Sequence, residues 1–246
     1  MELTTSFPST IPPKRIWGFW PTVGFSAVIF IAYSAAQFLV SLVAFILQIS
    51  SGASIQQGLE NLIVNGLTLS LATIVSAAVG LLLVIVFIRV RGGISSADYL
   101  GIYPLKLKTI MWLVLLFIAM LATVLVVSSY LGNDGSADFN TELYRHSGPL
   151  PLFVLAIVFA APLFEEVFFR GFLFVGMRAS RIGPVATIII TSALWAMLHL
   201  QYNIFGIVQI FVMGIILGIV RHRTDSLWSP LLIHILWNGA AVVYGT

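Results

Sequence analysis

The residues able to do chemistry cluster in the last hundred positions, inside stretches that are otherwise apolar. The run from Phe164 to Gly171 contains Glu165, Glu166 and Arg170. Successive residues of a helix differ in direction by about 100°, so the two carboxylates point to different sides, and Glu166 can pair with Arg170 four residues later. Glu165 has no partner in its own helix. It is therefore a candidate general base for activating water, although all three groups could instead form a buried ion network that docks helices.

Two further apolar stretches carry histidines. His199 follows the run Trp195-Ala196-Met197-Leu198, and His234 precedes Asn238 by four residues, so that the second pair shares one helix face. Taken alone, each group could be a hydrogen-bonding partner between membrane helices. Together with Glu165 they supply side chains that could activate a water molecule and bind an oxyanion.

A metal-dependent version of this chemistry is the alternative. Glu165, His199 and His234 are ligand types that zinc accepts, and zinc could hold the attacking water. The chain contains no cysteine, which excludes thiolate metal sites and a cysteine nucleophile, and it contains no HExxH motif. We expect a site without a metal or other cofactor and keep zinc as the alternative.

The composition places these residues in a membrane. The chain has 246 residues, of which 59 % are apolar and only 9 % are charged. A soluble domain carries about 25 % charged residues, so this chain has too few charges to cover a surface in water. Its mean hydropathy of +1.05 also excludes intrinsic disorder. The fold class predicted is all-α, a polytopic membrane helix bundle.

The apolar stretches predict about seven to eight transmembrane helices. A helix needs about 20 apolar residues to cross a bilayer. Seven stretches approach or exceed that length: about 22–49, 62–88, 109–131, 150–176, 184–200, 204–220 and 228–244. They divide the chain into a cytoplasmic N-terminal segment (1–21), N-terminal transmembrane helices (22–131) and a C-terminal catalytic core (150–244).

Basic residues predict the orientation. Ten of the twelve Lys and Arg residues fall in alternate segments between the stretches, which gives all ten the same side of the membrane. The positive-inside rule then places the N-terminus in the cytoplasm and the C-terminus outside, in the cell membrane if the source is bacterial. The basic charge therefore orients the protein against the lipid bilayer, and we expect no nucleic-acid partner.

The three motifs together resemble those of the CAAX protease and bacteriocin-processing family, also called the CPBP or Abi family. The run Glu165–Arg170 resembles its EExxxR motif. The run Trp195–His199 is similar to its second motif, an aromatic residue four positions before a histidine, where Phe is usual and Trp stands here. His234–Asn238 resembles its third motif, HxxxN. The resemblance covers about residues 150–240.

This resemblance implies an intramembrane endopeptidase that cleaves a membrane-associated protein or peptide. It implies that Glu165 is the base that activates water and that His199 holds this water with it. It further implies that His234 and Asn238 bind the oxyanion, and that Glu166 and Arg170 support the site. A zinc-dependent peptidase, a non-enzymatic membrane scaffold or immunity protein, and a proton-coupled carrier are the alternatives.

The depths of two site residues conflict with the predicted boundaries. His199 lies near the outer end of the stretch 184–200, whereas Glu165 lies near the middle of the stretch 150–176. A common site therefore requires a tilt, a kink, or different boundaries for the stretches on either side of residues 201–203.

Overall fold

The computed structural model describes residues 16–132 and 149–245, and within these ranges every regular element is a helix. The helices are α1 (Phe19–Ser50), α2 (Ile55–Val64), α3 (Gly66–Arg91), α4 (Ser96–Leu100), α5 (Leu107–Leu131), α6 (Leu150–Arg178), α7 (Gly183–Met197), α8 (Ile204–Thr224) and α9 (Trp228–Gly245). The predicted all-α membrane bundle is confirmed, and each of the seven predicted stretches corresponds to one of these helices.

Five helices are long and apolar enough to cross a membrane: α1, α3, α5, α6 and α8. Helices α7 and α9 are apolar but shorter. The 15 residues of α7 extend about 22 Å at 1.5 Å per residue, less than the roughly 30 Å of a bilayer core. The segment that follows α7 therefore begins within the depth of the bundle.

Several boundaries of the predicted stretches differ from the helix ends by a few residues. The second stretch begins at Gly66 and not at residue 62, because Asn65 has an extended backbone and its side chain caps α3 by accepting from Thr68 N–H at 2.9 Å. The first helix begins at Phe19, so it includes residues that had been assigned to the N-terminal segment. Residues 1–15 of that segment lie outside the described residues. The fifth stretch ends at Met197 and not at residue 200.

The core of the bundle surrounds α6. Every residue from Glu166 to Met177 in this helix is buried. Helices α1 and α3 pack against one side of it, and Gly80 of α3 lies directly against the ring of Phe164. Helix α6 is irregular, because its segments 155–160 and 166–173 are wound as π-helix.

Helices α7 and α8 are antiparallel neighbours in close contact. A Cβ atom at Gly214 would lie 2.9 Å from Ser192 Cβ, and one at Gly218 would lie 3.0 Å from a methyl carbon of Ile188. The Gly-xxx-Gly spacing in α8 thus acts as a close-packing motif between the two helices.

The basic ends of the helices gather at one end of the bundle. The Arg91 guanidinium lies 5.4 Å from the Trp17 ring centroid, and Arg178 pairs with Asp225 at 2.9 Å. Buried Arg221 donates to the Leu100 carbonyl at 3.1 Å. The alternation of basic segments is therefore reproduced by the fold, while the direction of this end relative to the cell stays a prediction.

Candidate active site

A buried ion pair lies at the centre of the site. Arg170 Nη1 donates to Glu166 Oε1 at 3.0 Å, and both side chains are 0 % exposed. The guanidinium also lies 4.5 Å from the centroid of the Trp195 ring and donates to the Gly214 carbonyl at 3.4 Å. The pairing predicted from the four-residue spacing is confirmed, and the pair links α6 to both α7 and α8.

His234 connects the two glutamates, which the sequence did not predict. Its Nδ1 lies 2.9 Å from Glu166 Oε1, and its Nε2 lies 3.9 Å from Glu165 Oε2. Because the carboxylate of Glu166 accepts, Nδ1 carries a proton in this arrangement. Glu166 is therefore not occupied by Arg170 alone, and the other nitrogen of His234 faces the candidate base.

Glu165 has a partner on another helix. Trp195 Nε1 donates to Glu165 Oε2 at 2.5 Å, so the carboxylate is anchored by α7. The Glu165 side chain is 20 % exposed, whereas that of Glu166 is fully buried. Of the two carboxylates, Glu165 is the one that another molecule can reach.

Trp195 organises the site in a way that the sequence analysis missed. Its ring lies edge-on to His199 at 5.3 Å and to His234 at 5.2 Å between centroids. The available signal was the residue type, since Trp has an N–H donor where the family usually has Phe, which has none. This donor, more than the aromatic ring, fixes the orientation of Glu165.

His199 lies in the turn that follows α7. Its Nδ1 lies 2.9 Å from the Trp195 carbonyl oxygen, and its ring stacks on Tyr202 with centroids 6.1 Å apart. The conflict in depth rested on a boundary at residue 200, whereas α7 ends at Met197 and His199 lies beyond the helix. Among the described residues, His199 makes no hydrogen bond to Glu165, and the two are connected through Trp195.

Two tyrosines lie within electrostatic range of Glu165, and the sequence analysis selected neither of them. Tyr202, in the turn that follows α7, interacts electrostatically with Glu165. Tyr33 of α1 stacks on Phe164 at 4.2 Å between centroids, and its hydroxyl lies within electrostatic range of Glu165. No spacing rule in the sequence connects either tyrosine to the motifs.

Asn238 and His234 share a face of α9 but bond to different partners. Asn238 Nδ2 donates to the carbonyl oxygen of Ile157 at 2.9 Å, whereas His234 faces the glutamates. The two side chains therefore have different hydrogen-bonding partners in this structure, and their common role at an oxyanion stays a prediction. The reason for the different partners is the π-helical segment of α6, which presents the Ile157 carbonyl to α9.

The candidate zinc ligands contact different partners in this structure. Within 16–132 and 149–245, no group of three or more His, Asp or Glu side chains is arranged to hold a metal ion. His199 faces Trp195 and Tyr202, so the set Glu165, His199 and His234 is not assembled around one point. No step below is therefore assigned to a metal.

Comparison with known proteins identifies the C-terminal region. Residues 147–240 match the family model described as type II CAAX prenyl endopeptidase Rce1-like. Over 131 residues the chain is 32 % identical to the membrane-embedded CAAX protease MroQ of Staphylococcus aureus (strain USA300), covering 51 % of this chain and 51 % of that protein. Residues 147–240 are therefore similar to CPBP-family proteases.

A second relative of the chain is an uncharacterized 24.3 kDa protein of Escherichia coli, 30 % identical over 111 residues, which is 44 % of this chain and 51 % of that protein. The chain thus spans about half the length of the curated relatives it matches. No solved structure matches significantly. All of the predicted site residues lie within 147–240, whereas Tyr33 belongs to a helix outside the region that the CPBP family model matches.

Proposed function

We propose that the chain is an intramembrane endopeptidase that hydrolyses a peptide bond of a membrane-associated protein or peptide by water that Glu165 activates. The observation that carries this proposal is the pair of carboxylates on α6, one fully buried in an ion pair and the other accessible and oriented by Trp195. A network that only docked helices would need the first carboxylate but not the second.

Glu165 is the general base in this proposal. It takes a proton from water, and the resulting hydroxide attacks the carbonyl carbon of the scissile bond, whose oxygen becomes an oxyanion. When the carbon–nitrogen bond breaks, the same proton passes from Glu165 to the leaving amine. The products are a carboxylic acid and an amine, and no other reactant is required. His199, in the turn that follows the short helix α7, holds the water together with Glu165.

His234 and Asn238 bind the oxyanion. With both ring nitrogens protonated, His234 balances the charges of the cluster, because Glu165 and Glu166 are negative and Arg170 is positive. Such neutrality favours burial in an apolar bundle. Nε2 is then a donor on the side of Glu165. Each oxyanion donor of this kind contributes about 10²–10³-fold to turnover.

Glu166 and Arg170 hold His234 in place and do not contact the substrate. The carboxylate fixes the ring through Nδ1 at 2.9 Å, as second partners of catalytic histidines commonly do. The substrate is a membrane-associated chain, because the accessible carboxylate lies within a bundle of membrane helices. We place the N-terminus in the cytoplasm and the C-terminus outside, as the basic end of the bundle favours.

The test compares wild type with Glu165→Gln, which keeps the size of the side chain and removes the base. Membrane proteomics of cells with each form should show substrates that accumulate uncut in the variant. Purified Glu165→Gln should cleave such a substrate at least about a hundredfold more slowly. Glu60→Gln on α2 is the matched control, because Glu60 is exposed and contacts only Gln56 among the hydrogen bonds described. Near-normal cleavage by Glu165→Gln would contradict the assigned role.

A further inference from the structure

The segment of α6 that precedes Glu165 contains a carbonyl group without a donor in its own helix. In the π-helical stretch 155–160, the N–H of Ala161 donates to the carbonyl of Ala156, five residues earlier. At the same spacing the Ile157 carbonyl would accept from residue 162, which is proline and has no N–H. Ile157 thus presents an acceptor to its surroundings.

Asn238 supplies the missing donor from another helix. Its Nδ2 lies 2.9 Å from the Ile157 oxygen, across 81 positions of sequence. A side-chain amide carries two N–H groups on one nitrogen. When one of them is bound to a fixed carbonyl, the direction of the second is fixed as well.

We propose that Pro162 is a positioning residue: it leaves the Ile157 carbonyl open as the anchor that orients the Asn238 amide for the substrate oxygen. This inference rests on the proposed function, in which Asn238 binds the oxyanion. A carbonyl bonded within its own helix would leave the amide free to rotate, and a misdirected donor contributes little to a developing oxyanion.

A purely structural proline makes a different prediction for turnover. Proline in the interior of a helix removes a hydrogen bond and strains the turn, so Pro162→Ala should stabilise the protein and leave turnover unchanged. The positioning role predicts that the same variant keeps or gains thermal stability while turnover falls. A fall in turnover without a loss of thermal stability therefore indicates the positioning role, and unchanged turnover indicates the structural role.

The first experiment measures thermal unfolding of the purified full chain and needs no substrate. Asn238→Ala should lower the apparent Tm by about 2–10 °C, because the half-buried Ile157 carbonyl loses its donor. In the Pro162→Ala background the new N–H gives that carbonyl a donor in α6, so Asn238→Ala should lower the Tm by less than half as much. Equal losses in the two backgrounds would overturn the anchor.

The second experiment measures turnover of a fluorogenic peptide that covers a cleavage site found by Glu165-dependent proteomics. Pro162→Ala should lower kcat about tenfold or more with KM within about twofold, and the double variant should be no slower than Asn238→Ala alone. Pro151→Ala is the control, since Pro151 lies in the first turn of α6, where no carbonyl loses a donor. Unchanged kcat in Pro162→Ala would overturn the positioning role. If the wild type shows no Glu165-dependent cleavage, the proposed function fails, while the thermal experiment still decides whether the anchor exists.

Discussion

Removal of the Glu166 carboxylate is predicted to destabilise the protein strongly. The Glu166→Ala change leaves the Arg170 guanidinium buried without its carboxylate, which lies at 3.0 Å with both side chains 0 % exposed. It also removes the partner of His234 Nδ1, at 2.9 Å. Loss of one member of a buried ion pair costs about 3–5 kcal/mol.

The effect on thermal stability follows from this free energy. For a chain of roughly this size, 1 kcal/mol shifts the Tm by about 2–4 °C, so Glu166→Ala should lower it by about 6–20 °C. The lowering of the Tm in Arg170→Ala should lie in the lower part of that range, because Glu166 keeps its contact with His234. The double variant removes both charges and should lose clearly less stability than the sum of the single variants.

The assay is thermal unfolding of the purified protein in one detergent, with an exposed pair as control. Arg178 and Asp225 are 2.9 Å apart, the same separation as the buried contacts, but their side chains are 28 % and 63 % exposed. Arg178→Ala should therefore cost at most about 1 kcal/mol. This reasoning would be refuted if the Tm losses of Glu166→Ala and Arg170→Ala added up strictly in the double variant. It would also be refuted if variants of the buried pair and of the exposed pair lost equal stability. Single variants of full stability without activity would instead move Glu166 into the catalytic set.

The remaining predictions concern orientation and metal dependence. A reporter fused after Arg91 should behave as cytoplasmic and one fused after Asp138 as external, and the reverse pattern would overturn the charge argument. The purified enzyme should cleave after chelation, and His234→Ala and Asn238→Ala should each lower turnover about 10²–10³-fold without any correlated change in zinc content. Stoichiometric zinc that is lost in His234→Ala and is needed to restore cleavage would replace the glutamate mechanism by a zinc mechanism.

The sequence predicts those parts of this molecule that depend on local spacing or on composition. The apolar stretches locate the helices because each must match a bilayer, and the Glu166–Arg170 pair follows from helix geometry. Where a prediction failed, a side chain or a turn had overridden composition. Asn65 is one polar residue in an apolar run, yet its cap ends one helix and begins another. The end of α7 at Met197 is likewise hidden, because Leu198 and Leu200 continue the apolar pattern past it.

The links between helices could not be predicted from spacing. Glu165 is bound by Trp195, which lies 30 positions away, and His234 bridges two carboxylates 68 and 69 positions earlier. An i to i+4 rule places His234 and Asn238 on one face, which is correct. It does not say what each of them meets, and that depends on how α9 packs against an irregular helix.

The irregularity of α6 determines where Glu165 lies. A π-helical segment stands on each side of the short α-helical turn Ala161–Glu165, and each segment has a carbonyl that accepts from another helix. Asn238 of α9 donates to Ile157 in the first segment, and Arg221 of α8 donates to Arg170 in the second at 3.0 Å. Because π-helical turns are rare, we infer that these tertiary bonds stabilise a conformation that α6 would not adopt alone. Such turns often occur at functional sites. The direction of the candidate base thus depends on α8 and α9, which hold α6 in this conformation, together with the bond from Trp195 of α7.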